Sequence, residues 1–228
     1  MSVLYEIRHN LAKRRHAEKA GRTPLAPLYQ QELIGRGRRV EETEFLVADC
    51  EMTGLDARKD HILSVGWVLV KRMRVVHATV RHVLVHSERL TGDSSKIHGL
   101  MNSHVAGASS IGSALMSLSE QIPGRVLVFH HASLDIGFLQ AAARANFRCP
   151  MLFSYIDTMQ IEAHRQRHQE VQHALRLVEC RQRYGLPVSS QHDAAQDALA
   201  TAELLLAQLS HLDGADTTLG QLKISSTP

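Results

Sequence analysis

Four consecutive apolar residues, Phe45-Leu46-Val47-Ala48, run directly into Asp49-Cys50-Glu51, and this junction constrains the chain more than any other stretch. A short continuous apolar run suits a strand covered on both faces. Side chains on a strand alternate, so Asp49 and Glu51 point the same way at the strand's carboxyl end and Cys50 points the opposite way. Thr53-Gly54 then turns the chain. Two carboxylates side by side at the end of a core strand repel each other, and a divalent cation removes that cost. Two solvated acids at a strand exit would read the same way, so the pair acquires meaning only from the rest of the chain.

The following stretches read as strands and helices in alternation. His61 to Val70 is rich in Val, Ile and Trp and reads as a second strand; Lys71 to Arg74 is a tight turn into a third, Val75 to Val85. Asp93 to Ala108 reads as short turns and caps. Ser110 to Gln121 is an amphipathic helix stopped by Pro123-Gly124. Arg125 to Phe129 is a fourth strand, Ser133 to Asn146 a helix, and Met151 to Ile156 a fifth strand. A long helical stretch, with room for a break, covers Asp157 to Tyr184, and a last helix covers Ala194 to Leu209. This order predicts an α/β fold with a mixed five-stranded central sheet flanked by helices. The first and fourth strands, joined through a helix, should run parallel, with the site beyond their carboxyl ends.

Residues 1–43 form a basic, helical N-terminal extension. Up to residue 40 it holds Arg8, Lys13, Arg14, Arg15, Lys19, Arg22, Arg36, Arg38 and Arg39 against only Glu6, Glu18 and Glu32. Such an arm suits a polyanion or a protein partner, and equally a solvated helix face. Residues 44–212 form the main domain, and the polar residues 213–228 read as a flexible tail. Cys50, Cys149 and Cys180 are odd in number and lack CxxC spacing, which fits a reducing compartment and gives no zinc signature. No stretch has the roughly 20 apolar residues of a membrane span, and the N-terminus lacks a signal-peptide core, so a cytoplasmic protein with no membrane partner is expected.

Two further acids join the first pair. Asp135 lies in the first turns of the helix after the fourth strand, among Leu134, Ile136, Phe138 and Leu139, so it is a carboxylate on a largely buried helix. Asp197 lies early on the last helix, five residues after His192. Five helical residues turn by about 140°, so the two cannot share a helix face. His192 therefore belongs to the preceding loop, with Asp193 as N-cap. Four acids at strand ends and helix starts suit Mg²⁺ or Mn²⁺ rather than zinc, in the manner of sites that attack phosphorus in line. One histidine titrating near neutrality suits a base for the attacking water.

The order Asp-x-Glu, then Asp, then His-x4-Asp resembles the DnaQ-like 3′–5′ exonucleases in their histidine-bearing DEDDh branch. The surrounding residues extend the resemblance over about 44–210: Asp49-Cys-Glu-Met-Thr-Gly-Leu55, Lys96-Ile97-His98-Gly99-Leu100, Phe129-His-His-Ala-Ser-Leu-Asp-Ile-Gly-Phe138, Asp157-Thr158 and Tyr184-Gly-Leu-Pro187. His131 stands where the family usually has Asn, and Leu134 where it has an aromatic.

The resemblance implies a ribonuclease H-like fold, two divalent metals per site, and 3′–5′ release of nucleoside 5′-monophosphates from single-stranded DNA or RNA, with DNA favoured. It implies that Asp49, Glu51 and Asp197 bind the catalytic metal, that Asp49 touches a second one, and that Asp135 holds that second ion directly or through water. His192 would be the general base. Met52, Thr53, Gly54, Leu55, His98, His130 and Phe138 would line the pocket for the terminal nucleotide. A homodimer is a further expectation from the family. The short run after the last helix suggests a stand-alone enzyme, or one similar to the epsilon subunit of DNA polymerase III. The Glu-Met-Thr-Gly-Leu wording is also similar to oligoribonucleases, making trimming of short RNA the alternative. A non-catalytic binding module of the same fold would be marked by loss of a metal acid, and none is lost.

Overall fold

The computed structural model describes residues 2–86, 108–167, 174–187 and 193–227. Among them one mixed sheet holds β1 (Phe45–Met52), β2 (Ile62–Lys71), β3 (Arg74–Leu84), β4 (Val126–Phe129), β5 (Ser154–Asp157) and β6 (Ser225–Ser226). The strand order is β3-β2-β1-β4-β5-β6. β1 runs parallel to β4 and β4 to β5, as the helical connections require, while the β1–β2, β2–β3 and β5–β6 pairs are antiparallel. The flanking helices are α1 (Ser2–Ala20), α2 (Ala26–Gln30), α3 (Ile111–Ser119), α4 (Ala132–Phe147), α5 (Thr158–Gln166), α6 (Leu177–Arg183) and α7 (Ala194–Ser210). None of these is long and apolar enough to cross a membrane.

Residues alternate cleanly between two cores. Leu46, Ala48 and Cys50 of β1 pack with Leu115 and Leu118 of α3 and Leu139 of α4. Phe45 and Val47 pack on the other face with Ile161 of α5 and Leu205 and Leu209 of α7. This is why the apolar run of β1 is unbroken: both faces are covered. The same alternation turns Asp49 and Glu51 toward the α7 side and Cys50 toward the α4 side. The strand also extends beyond its apolar run, because β2 remains paired with it through Asp49↔Gly66 and Glu51↔Ser64. Both acids thus sit on hydrogen-bonded strand rather than past its end. The β2–β3 hairpin closes over Arg72 and Met73, both with positive φ (48° and 59°), the backbone of a two-residue turn that matches strand twist.

Two expectations need correction. The sheet has a sixth strand, and the tail after residue 212 is packed. Leu219, Leu222 and Ile224 are buried against the α7-side core. The Thr227 hydroxyl donates to Met151 O (2.8 Å) and accepts from the Phe153 N–H (3.1 Å). Three isolated apolar residues in a polar run give no periodicity, and a two-residue strand has no propensity signal. The extension likewise joins the body: Ala20, Leu25, Leu28 and Tyr29 belong to the α4-side core. The Tyr29 hydroxyl donates to Pro150 O at 2.7 Å. The long helical stretch expected from Asp157 to Tyr184 is divided between α5 and α6. The turns expected over 93–108 fall almost wholly outside the described residues, as do residues 168–173 between α5 and α6.

Candidate active site

Asp49, Glu51 and Asp197 come together at the carboxyl end of β1. Each is half-buried, and each offers a carboxylate oxygen within 4.8 Å of the others. Asp197 is delivered by the start of α7, and two features bring that start onto the sheet. Gly66, the β2 partner of Asp49, lies directly beneath it: a Cβ at Gly66 would overlap the backbone of Ala194 and Ala195. Asp193 caps the helix, its carboxylate accepting from the N–H groups of Ala195 and Gln196 (3.0 Å each). On β3, His82 is the cross-strand partner of Gly66, and its Nδ1 stands 3.4 Å from the Asp193 carboxylate. A row across three strands therefore supports the cap, the helix start and the acid pair.

Asp135 enters from the other face. Pairing of β1 with β4 ends at Val47↔Val128, which leaves the β4-side edge of β1 open farther along. There the Cys50 N–H donates to Asp135 Oδ1 at 3.0 Å. Asp135 is buried and is held one step from the three-acid group rather than inside it. Its helix is positioned by Asp157 at the end of β5. That carboxylate accepts from the N–H groups of His131, Ala132 and Met159 (3.0 Å each), so one side chain fixes the starts of both α4 and α5. His131, the residue before α4, is left-handed (φ 72°, ψ 50°). Asn visits that region more readily than most residues, so the Asn expected here from the resemblance would suit this backbone better than His131 does.

The electrostatics of the acids have one direction. Burial, then the carboxylates of Asp135, Asp197, Glu51 and Asp193, push Asp49 well above the usual carboxylate range. Burial lifts Asp135 to about 7 against the opposing hydrogen bond from Cys50. Oxygen ligands, close spacing and mutual repulsion fit a hard divalent cation, and Asp49, Glu51 and Asp197 are the residues that would hold it.

The loop after β1 is tied by one acid. The Asp60 carboxylate accepts from Thr53 Oγ1 (3.2 Å) and the Asp56 N–H (3.0 Å), and a Cβ at Gly54 would overlap it. Thr53 and His61 also pair through their backbones. The knot holds Leu55 outward, 80% exposed, three residues past β1. Beside it a cleft of about 450 Å³ runs between the 57–62 stretch and α4, with Phe138, Ala141, Ala142 and Asn146 along its α4 side.

Of the residues expected to line a substrate pocket, Met52 to Leu55 and Phe138 are in this neighbourhood. His130 is not available: its Nε2–H donates to Leu175 O and its Nδ1 meets the Thr158 hydroxyl, both at 2.8 Å. Both ring nitrogens are used inside the protein, and burial lowers its pKa. His98 and His192 lie outside the described residues. Gly66, Asp60 and His82 were not foreseen as site residues. Gly66, a lone glycine inside a strand pattern, carried the one available signal, that of a close backbone approach.

An acidic site at the end of a parallel strand pair, crossed by a helix start, defines a class of α/β protein that gathers carboxylates for a divalent cation. The chain belongs to the exonuclease family whose model, described as RNase_T exonuclease, matches residues 46–205. It is 28% identical over 176 residues to the DNA polymerase III subunit epsilon of Treponema pallidum, covering 75% of this chain and 79% of that one. It is 28% identical over 180 residues to the PolC-type DNA polymerase III of Caldanaerobacter subterraneus, but spans only 12% of that much longer protein. Among solved structures it is similar to the nuclease domain of 3′hExo, a DEDDh family member bound to rAMP, with a TM-score of 0.61 at 16% identity, covering 82% of this chain and 98% of that one.

Proposed function

We propose that this chain is a 3′–5′ exonuclease that removes nucleoside 5′-monophosphates from single-stranded DNA. The observation that carries the reading is the convergence of Asp49, Glu51 and Asp197 within 4.8 Å, with Asp135 adjoining. Asp49, Glu51 and Asp197 would hold Mg²⁺ or Mn²⁺, and Asp49 and Asp135 together would hold a second ion; bound there, the ions would supply Lewis-acid activation and charge neutralisation for the scissile phosphate. His192, next to the Asp193 cap, takes the proton from the attacking water on an imidazole nitrogen. Leu55, exposed beside the acids, packs against the terminal base, and Phe138 closes the apolar side of the same pocket. The tight loop knotted by Asp60 keeps Leu55 in that position without help from substrate.

DNA is favoured because the relatives named above are a DNA polymerase III subunit epsilon and a PolC-type DNA polymerase III. A second reading, trimming of short RNA, draws on the Glu51-Met-Thr-Gly-Leu55 segment and on the similarity to a nuclease domain bound to rAMP. One time course decides between them: 5′-labelled single-stranded DNA and RNA of matched sequence, dinucleotides included, with Mn²⁺, beside Asp49→Ala. The expected result is a ladder shortening from the 3′ end, faster on DNA and absent in the variant. Faster loss of RNA selects the second reading. Intact oligonucleotides, or equal cleavage by Asp49→Ala, overturn both.

A further inference from the structure

The nine cations of the extension divide into two groups. Five are engaged by the protein. Lys13 donates to Gln31 O, Arg22 pairs with Glu18, Arg36 reaches Gly220 O and Ile224 O, Arg38 reaches Glu42 O, and Arg39 pairs with Glu41, Glu42 and Asp216. Arg8, Arg14, Arg15 and Lys19 are exposed and have no ion-pair partner among the described residues. At 3.6 residues per turn, Arg8, Arg15 and Lys19 fall within about 40° of one another on α1. This stripe flanks the packing side of the helix, where His9 and Ala20 are buried.

Arg144 of α4 stands near this side of α1: burial, then Arg15, Lys19 and Arg144, lower the pKa of the half-buried His16. Arg144 and the following Arg148 are exposed at the end of α4. The helix is held against the body, not loosely tethered: Leu25, Leu28 and Tyr29 are in the core, and Gln31 Nε2 donates to Leu152 O at 3.0 Å.

Position relative to the acids gives this cluster its meaning. Asp135 and Arg144 stand on the same helix nine residues apart, about 14 Å along its axis and about half a turn around it, so a strand passing from one to the other winds over the α4 face between them. The cleft beside α4 covers that interval, from Phe138 to Asn146. We propose that Arg15, Lys19 and Arg144, with Arg8 and Arg148 beside them, form a second contact surface for the phosphodiester backbone of the strand whose 3′ end occupies the acidic site. This rests on the exonuclease reading above. Guanidinium groups take phosphate oxygens two at a time, and a row of them on a rigid helix tracks a backbone without reading sequence.

The test uses the full chain and the variant Arg15→Glu/Lys19→Glu/Arg144→Glu, with the neutral Arg15→Gln/Lys19→Gln/Arg144→Gln as a milder second variant. Binding of a fluorescent oligothymidylate of about 30 nucleotides is followed by anisotropy in EDTA across a salt series. In parallel, turnover of the p-nitrophenyl ester of thymidine 5′-monophosphate, which fills only the end site, is measured with Mn²⁺. Loss of three phosphate contacts lowers the slope of log K against log salt by about 2. The expected result is that lower slope and at least about tenfold weaker binding of the oligonucleotide, with ester turnover within about twofold of the parent. Unchanged oligonucleotide binding overturns the proposal and directs the surface to an acidic protein. Equal loss of binding and turnover in both variants also overturns it. If the parent shortens no 3′ end and cleaves no ester, the exonuclease reading fails, while the anisotropy comparison still reports on the cationic surface.

Discussion

Replacing Gly66 by alanine should draw Asp197 away from Asp49 and Glu51 without removing any of the three acids. The added methyl would overlap the backbone of Ala194 and Ala195. Carbon atoms rest about 3.5–4.0 Å apart, so the start of α7 has to retreat by at least about 1 Å. The obstacle is peptide backbone inside a capped helix, which cannot swing aside as a side chain would. Overpacking of this kind costs about 1–3 kcal/mol of stability, and about 1 Å of misplacement in a catalytic constellation costs about 100-fold in rate. Asp197 moves with the helix, whereas Asp49 and Glu51 stay on β1. Calorimetric titration with Mn²⁺ should therefore show affinity at least about tenfold weaker, a loss of about 1.4 kcal/mol. Hydrolysis of a small thymidine phosphodiester ester should fall by about two orders of magnitude. Gly112→Ala is the control, because its Cβ would first meet Asn146 Oδ1 at 3.4 Å, a contact that the neighbour can absorb. A folded Gly66→Ala protein whose Mn²⁺ affinity and turnover stay within a factor of about two of the parent would refute the reasoning.

Three other outcomes follow from the same geometry. Asp135 keeps its proton up to about pH 7 in the fold, whereas an unfolded aspartate loses it near pH 4. The native state then binds more protons than the unfolded one across that window, so metal-free stability declines as pH rises through it. Melting temperatures in EDTA should show this slope, to which the raised Asp49 adds in the same direction, and Asp135→Asn should lessen it; an unaltered slope would count against the burial argument. His131→Asn, at a left-handed position, should raise stability by about 0.5 kcal/mol in urea unfolding, and a decrease would show that the His131 side chain contributes more than its backbone costs. Truncation after Asp216 removes buried Leu219, Leu222 and Ile224, each contributing roughly 2 kcal/mol, and should lower the melting temperature sharply. An unchanged melt would mean that the tail is not part of the cooperative unit.

Much of the site could be read before the fold was known, because its acids sit where simple rules apply. Strand alternation fixes Asp49 and Glu51 on one face, and the helical turn angle assigns Asp193 to a cap, which the structure bears out. The parallel pairing of β1 and β4 follows from their helical connection. Other features depend on contacts between residues far apart in the chain. His130 follows a strand directly and resembles a pocket residue, yet its ring is claimed by Leu175, 45 residues away. Gly66 matters because of what lies above it, and no local pattern names that neighbour. Asp157 could be read as a family residue, but not as the acceptor for two helix starts at once. β6 and the packed tail escaped because a few scattered apolar residues, useful only in the assembled core, carry no periodicity.

The stretch leading into β5 is gripped from both directions along the chain. Tyr29 and Gln31 use the carbonyls of Pro150 and Leu152, while Thr227 binds Met151 O and the Phe153 N–H. These bonds join residues separated by 121 positions on one side and by 76 and 74 on the other. Closing such large loops is slow, and contacts of this separation delay folding. On the ribosome the acids of β1, α4 and α7 all emerge before Thr227, so the acidic site can assemble while the outer edge of β5 is still open. An open strand edge is the part of a nascent chain that recruits other strands. Residues 225–227, which follow every acid of the site along the chain, are then the ones that close this edge against aggregation, and pauses in translation before them should cost soluble yield rather than activity per folded molecule.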